Sequence, residues 1–99
     1  MTILKNREGN TVNLALEGRL DTTTAPQLEE ALNENMDGVD TLVLDMKSLE
    51  YVSSAGLRVL LAAQKKMNAV KGSMVLRNVC EDIKEVFDIT GFCDILTVE

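Results

Sequence analysis

The chain has 99 residues, 45% of them hydrophobic, and a formal net charge of −6. That suffices for one modest core and not for two, and the acidic balance argues against binding nucleic acid or an anionic membrane through a broad basic surface. Only Tyr51, Phe87 and Phe92 are aromatic, so the core must be mainly aliphatic and platforms for stacking bases are not expected.

The opening segment MTILKNREGN has no apolar signal core, and no apolar run approaches the ~20 residues that cross a bilayer. The reading is therefore a soluble cytoplasmic protein whose charge suits a basic protein partner. Cys80 and Cys93 have no histidine to join them in a metal site and do not form a CxxC pair. They are expected to be ordinary buried thiols in a reducing compartment.

In chain order, Thr2 to Asn6 and Thr11 to Leu16 read as two strands of a hairpin, with Glu8, Gly9 and Asn10 in the turn. Val12, Leu14 and Leu16 alternate with Asn13 and Ala15, which gives one apolar face and an expected place at the sheet edge. Glu17-Gly18-Arg19 interrupts the alternation, and Asp21 with Thr22, Thr23 and Thr24 leads into a helix. Thr24 and Gln27 match a capping box, and Pro26 fits a first turn. Leu28, Ala31, Leu32 and Met36 recur at helical spacing until Asp37-Gly38.

Thr41 to Asp45 is a short β-branched and aliphatic run ending in a carboxylate, expected to be a strand buried on both faces of a parallel sheet. Ser53 and Ser54 then open a long amphipathic helix. At ~100° per residue, Gly56, Val59, Leu60, Ala63, Met67 and Val70 share a face directed at the sheet, with Arg58, Lys65 and Ala69 opposite. Leu57 and Leu61 lie beside that stripe, toward a neighbouring helix or a partner. Lys71-Gly72 closes the helix, Ser73 to Arg77 is the next strand, a third helix begins near Val79 to Asp82, and Ile95 to Val98 makes a last short strand. The alternation predicts one α/β domain over residues 1–99: an N-terminal hairpin on a mostly parallel mixed sheet of about five strands, with about three to four helices.

A serine at a helix N-cap accepts a hydrogen bond from the first turn, so two adjacent serines leave one hydroxyl free of that duty. The helix start also supplies N–H donors and a partial positive charge, which would stabilise a phosphate on Ser54. Gly56 is expected to let another molecule approach the backbone. Alternatively, the pair is a plain cap over a packing glycine.

Asp21, Asp45, the two serines, Arg77 and Asn78 all fall at predicted carboxyl ends of strands, where α/β sheets place function. Nothing there equips an enzyme. With no histidine to serve as base, no GxSxG turn and no phosphate loop, catalytic residues, metal and cofactor are not expected. Asp21 and Asp45 alone make a poor cation site, and turn stabilisation for Asp21 and a loop hydrogen bond for Asp45 account for them.

The stretches GRLDTTTAPQLEEAL, LVLDMKSLEYVSSAGLRVLL and GSMVLRNV together resemble the STAS domain of bacterial anti-sigma factor antagonists across essentially the whole chain. The resemblance implies a STAS-like fold and a binding protein that holds a serine-kinase anti-sigma factor while unmodified and releases it once phosphorylated. It places the acceptor at Ser54, with Ser53 second, and puts Asp21 at an acidic position that contacts the kinase. Ser53 stands where the family has an aspartate, and Ala55 where it has a hydroxyl residue. The docking surface expected from this comprises Asp21, Thr22, Ser53, Ser54, Gly56, Leu57, Arg58 and Leu61; Arg77, from its predicted place on the same rim, is a candidate to neutralise the phosphate. A monomer served by a phosphoserine phosphatase is expected. The alternative is a STAS module that is never phosphorylated and acts in a scaffold or beside a transporter.

Overall fold

The computed structural model describes residues 1–35 and 37–99, and Met36, expected on the first helix, lies outside them. Strands β1 (Thr2–Glu8) and β2 (Thr11–Leu20) form the hairpin. Helix α1 (Ala25–Asn35), strand β3 (Thr41–Val52), helix α2 (Ser54–Ala69), strand β4 (Ser73–Arg77), helix α3 (Glu81–Thr90) and strand β5 (Thr97–Val98) follow, with a 3₁₀ turn at Phe92–Asp94. The sheet has five strands in the order β1-β2-β3-β4-β5, with β1 antiparallel to β2 and every other pair parallel. The expected fold class, a single α/β domain with a hairpin on a mixed sheet, is the one observed.

From β2 onward each strand adds on the same side of its predecessor. Right-handed crossovers then put all of the helices on one face. Val12, Leu14, Leu42, Leu44, Met74 and Leu76 accordingly join Leu28, Leu60, Met67 and Phe87 in a single core, whereas Val43, pointing the other way, is not part of it. The start of β3 is buried on both faces, as expected: Leu42 and Leu44 lie under the helices, and Val43, also buried, faces the side the helices leave open. The hairpin is at the edge as expected, but β1 is the edge strand and β2 lies inside the sheet.

The largest departure is the length of the central strands. β3 runs seven residues beyond Asp45, and β2 accompanies it to Leu20 through two register shifts, with Gly18 at φ 104°. Met46, Leu49 and Val52 are buried at intervals of three, so the bulged extension does not alternate as a regular strand does. At the other end of the fold β5 is only two residues long.

Smaller differences have equally local causes. Thr24 does not cap α1 with its side chain: its hydroxyl donates to the Arg19 carbonyl (2.7 Å) and accepts from the Asp21 N–H (2.8 Å). Val70 is exposed because α2 ends at Ala69 and the backbone turns through Lys71 at φ 59°. Both cysteines are exposed rather than buried, and a hydrogen bond with Asp88 pushes the Cys93 thiol above the ordinary 9.0. No helix among the described residues is long and apolar enough to cross a membrane.

Among the described residues Gln64 is the buried polar one. Its Nε2 donates to Asn68 Oδ1 at 3.0 Å, and its Oε1 has no partner among them. An unpaired buried acceptor costs on the order of 1–3 kcal/mol. Gln64→Met removes it at similar volume, and urea denaturation should show a gain of about 1 kcal/mol, since exposed Asn68 returns to water.

Candidate functional site

The site is built where the two long strands end. Leu20 pairs with Val52, and the Ser53 N–H donates to the Leu20 carbonyl at 2.8 Å, so the loop after β2 and the start of α2 are neighbours. Ser53 is the N-cap, in extended conformation, and its Oγ accepts from the Gly56 N–H at 3.3 Å. Ser54 is the first helical residue. It is exposed, and its hydroxyl makes no hydrogen bond among the described residues.

Gly56 has a different purpose from the one expected. It is buried, and a Cβ there would come within 2.6 Å of Leu20 Cγ and 3.1 Å of the Leu20 carbonyl. The absent side chain accommodates Leu20 of the same chain, not an approaching partner. Leu57 is also buried in the core, so neither residue belongs to an exposed docking surface. Thr22, Ser54 and Arg58 are exposed, and Asp21, Ser53 and Leu61 are partly so.

Asp21 organises its own loop. One carboxylate oxygen accepts from the Thr23 hydroxyl (2.7 Å), the Thr23 N–H (3.0 Å) and the Thr24 N–H (3.1 Å), while the other faces the Arg19 guanidinium at 3.9 Å. The Thr23 hydroxyl bond leads the causes that hold the Asp21 pKa below its ordinary 3.8, and the backbone bonds act in the same direction against partial desolvation. Arg19 in turn lies over the Tyr51 ring, 4.4 Å from its centroid. Sequence reasoning missed this Asp21–Arg19–Tyr51 chain, because the pairing of Arg19 with Tyr51 depends on the two register shifts.

Arg77, Asn78 and Asp45 form a separate group. Asn78 Nδ2 donates to Asp45 Oδ1 at 3.0 Å, a bond that leads the causes lowering the Asp45 pKa, and Arg77 Nε meets Glu99 Oε2 at 3.0 Å. Arg77 is level with Asp45, and β3 runs seven further residues before α2 begins. At ~3.3 Å per residue that places Arg77 roughly 20 Å short of Ser54, out of reach as a neutralising cation. No cluster of three or more potential metal ligands occurs among the described residues.

Gly56→Ala gains helix propensity of about 1 kcal/mol but overpacks Leu20 by roughly 1–3 kcal/mol, so chemical denaturation should register a net loss of about 1 kcal/mol. Asp21 has a depressed folded-state pKa, so its stabilising contribution is whole above 3.8 and disappears as pH falls through the lower folded value. The stability gap between the unsubstituted chain and Asp21→Ala should be constant near neutrality and close in acid below that point.

Residues 2–99 match the STAS domain family. The chain is 42% identical to BtrV of Bordetella bronchiseptica over 84 residues, covering 84% of this chain and 72% of that protein. It is 32% identical to the anti-sigma-B factor antagonist of Bacillus subtilis over 89 residues, covering 90% of this chain and 82% of that protein. Among solved structures, the Bacillus cell fate determinant SpoIIAA in its phosphorylated form superposes with a TM-score of 0.78 at 21% identity, over 99% of this chain and 91% of that one. A shared architecture over the full described length and identities above the level of fold similarity alone establish that this chain belongs to the STAS domain family of anti-sigma factor antagonists.

Proposed function

We propose that this chain is an anti-sigma factor antagonist whose edge around Asp21 and Ser54 docks on a serine-kinase anti-sigma factor, and that phosphorylation of Ser54 by that kinase ends the docking. The observation that carries the reading is the division between the two serines: Ser53 caps α2, and Ser54 presents an unbonded hydroxyl at its exposed start. Family membership and the names of the relatives support the class of partner. A phosphoserine adds a charge of roughly −1.5 to −2. On a chain already at −6, that charge meets the acidic, nucleotide-bearing site of a kinase and is repelled. A phosphoserine phosphatase then restores the binding form.

Incubation with the cognate kinase and ATP, followed by peptide mapping by mass spectrometry, should find phosphate on Ser54 and lose it in Ser54→Ala. Calorimetric titration should give at least ~10-fold weaker binding for Ser54→Asp, the scale expected of an unpaired charge at an interface. Ser53→Ala loses a cap worth about 1 kcal/mol of stability, yet keeps the acceptor. Modification confined to Ser53, or absent, would replace the switch with an unmodified binding scaffold.

A further inference from the structure

Below Ser54, the outer face of α2 carries Arg58, Ala62 and Lys66, each one helical turn from the last and each exposed. This ridge forms one wall of a cleft of about 210 Å3 between α1 and α2. Leu32, Val59 and Ala63 make its floor, and Glu29 stands on the α1 wall. Lys66 Nζ donates to Asn33 Oδ1 across the far end and closes it. Because Glu29 and Asn33 stand opposite Arg58 and Lys66 in the same order, the two helices run parallel, and the other end of the cleft opens toward the Thr22–Thr24 loop and Ser54. Arg58 and Glu29 share the cleft without an ion pair, and Arg58 has no hydrogen-bond partner among the described residues.

We propose that this cleft receives a single large apolar side chain of the anti-sigma factor, Leu or Phe in kind, with a neighbouring carboxylate that pairs with Arg58. The inference rests on the function proposed above and extends its surface from the loop edge down the helix. Size selects an anchor side chain: an apolar cavity of about 150 Å3 accommodates benzene, and a cleft of this volume is too small for a whole helix. Charge selects its neighbour, since an exposed, unpaired guanidinium beside an apolar floor is complementary to a carboxylate and prefers a bidentate one. Continuity selects the partner, because the open mouth is one turn from Ser54. A second copy fits poorly, as two chains of net charge −6 repel.

The arrangement also deepens the switch. Ser54 and Arg58 are spaced i and i+4, so a phosphate on Ser54 draws the guanidinium to itself and withdraws it from the docked carboxylate. Docking and modification compete for one cation.

The test uses the purified full chain and the purified anti-sigma factor kinase. Ala62→Trp fills the cleft from an exposed position and should weaken binding about 30-fold or more, the scale of a lost anchor, with an unchanged circular dichroism spectrum. Arg58→Glu should weaken it about 10-fold, and it keeps the test intact should the tryptophan variant fail to fold. In an Arg58→Ala background, Ser54→Asp should cost several-fold less than in the unsubstituted chain. Full-strength binding by both Ala62→Trp and Arg58→Glu, with Ser54 still phosphorylated, overturns the cleft assignment and leaves the proposed function standing. No binding by the unsubstituted chain overturns both. Sedimentation should find one small species for the chain alone, and self-association abolished by Ala62→Trp would give the cleft to a second copy and overturn the proposal.

Discussion

Leu20 seated against the bare backbone of Gly56 is the contact that holds together the edge carrying Asp21, Ser53 and Ser54. The side chain at the last position of β2 occupies the space a Cβ on α2 would need, and the carbonyl of the same residue receives the Ser53 N–H. One residue thus joins a strand end to a helix start by packing and by a hydrogen bond. A glycine in the first turn costs about 1 kcal/mol of helix propensity, while complete burial of a leucine contributes roughly 1.5–3 kcal/mol, so the close approach is favoured. Asp21, next in the chain after Leu20, is carried to the same edge as the serines.

The edge is held by local hydrogen bonds, not by deep burial. Asp21 gathers the threonine loop through one carboxylate oxygen, leaving the other toward Arg19, which rests on Tyr51. Ser53 is committed to the helix cap, which leaves Ser54 with neither a capping duty nor a core contact. A hydroxyl that contributes little to folding can be esterified at small cost to the fold, and the new charge lies where helix N–H groups face solvent. Under the proposed function, the capping duty and the modifiable hydroxyl would fall on two adjacent residues of the same type.

Legibility in the sequence followed the regularity of the backbone. Helix α2 was readable because Val59, Leu60, Ala63 and Met67 keep the 3.6-residue period, and the serine pair was readable because capping is local chemistry. The second half of β3 was not. Met46, Leu49 and Val52 are three apart, a spacing that neither strand nor helix periodicity explains and that only the bulged pairing with β2 produces. Gly56 looked like an opening for a partner because nothing in the sequence names Leu20 as its neighbour; they are 36 positions apart. The cysteines looked buried from residue type alone, whereas they sit beside helix termini at the surface.

The extension of β3 decides which side chains share an edge. With all parallel strands taken as equally long, Asp45, Arg77 and Asn78 would share an edge with Asp21 and Ser54, and Arg77 would be the natural counter-charge for a phosphate. The sheet instead has two levels. β4 ends level with Asp45, where Arg77, Asn78 and Glu99 close a small polar group, and β2 and β3 continue past them as a two-stranded arm to Leu20 and Val52. Of the strand carboxyl ends where α/β sheets commonly place function, only those of β2 and β3 lie at the edge that carries Asp21 and Ser54. The cation available to Ser54 must therefore come from its own helix or from the arm that carries it, and Arg58, one turn along α2, meets that requirement within the same rigid element.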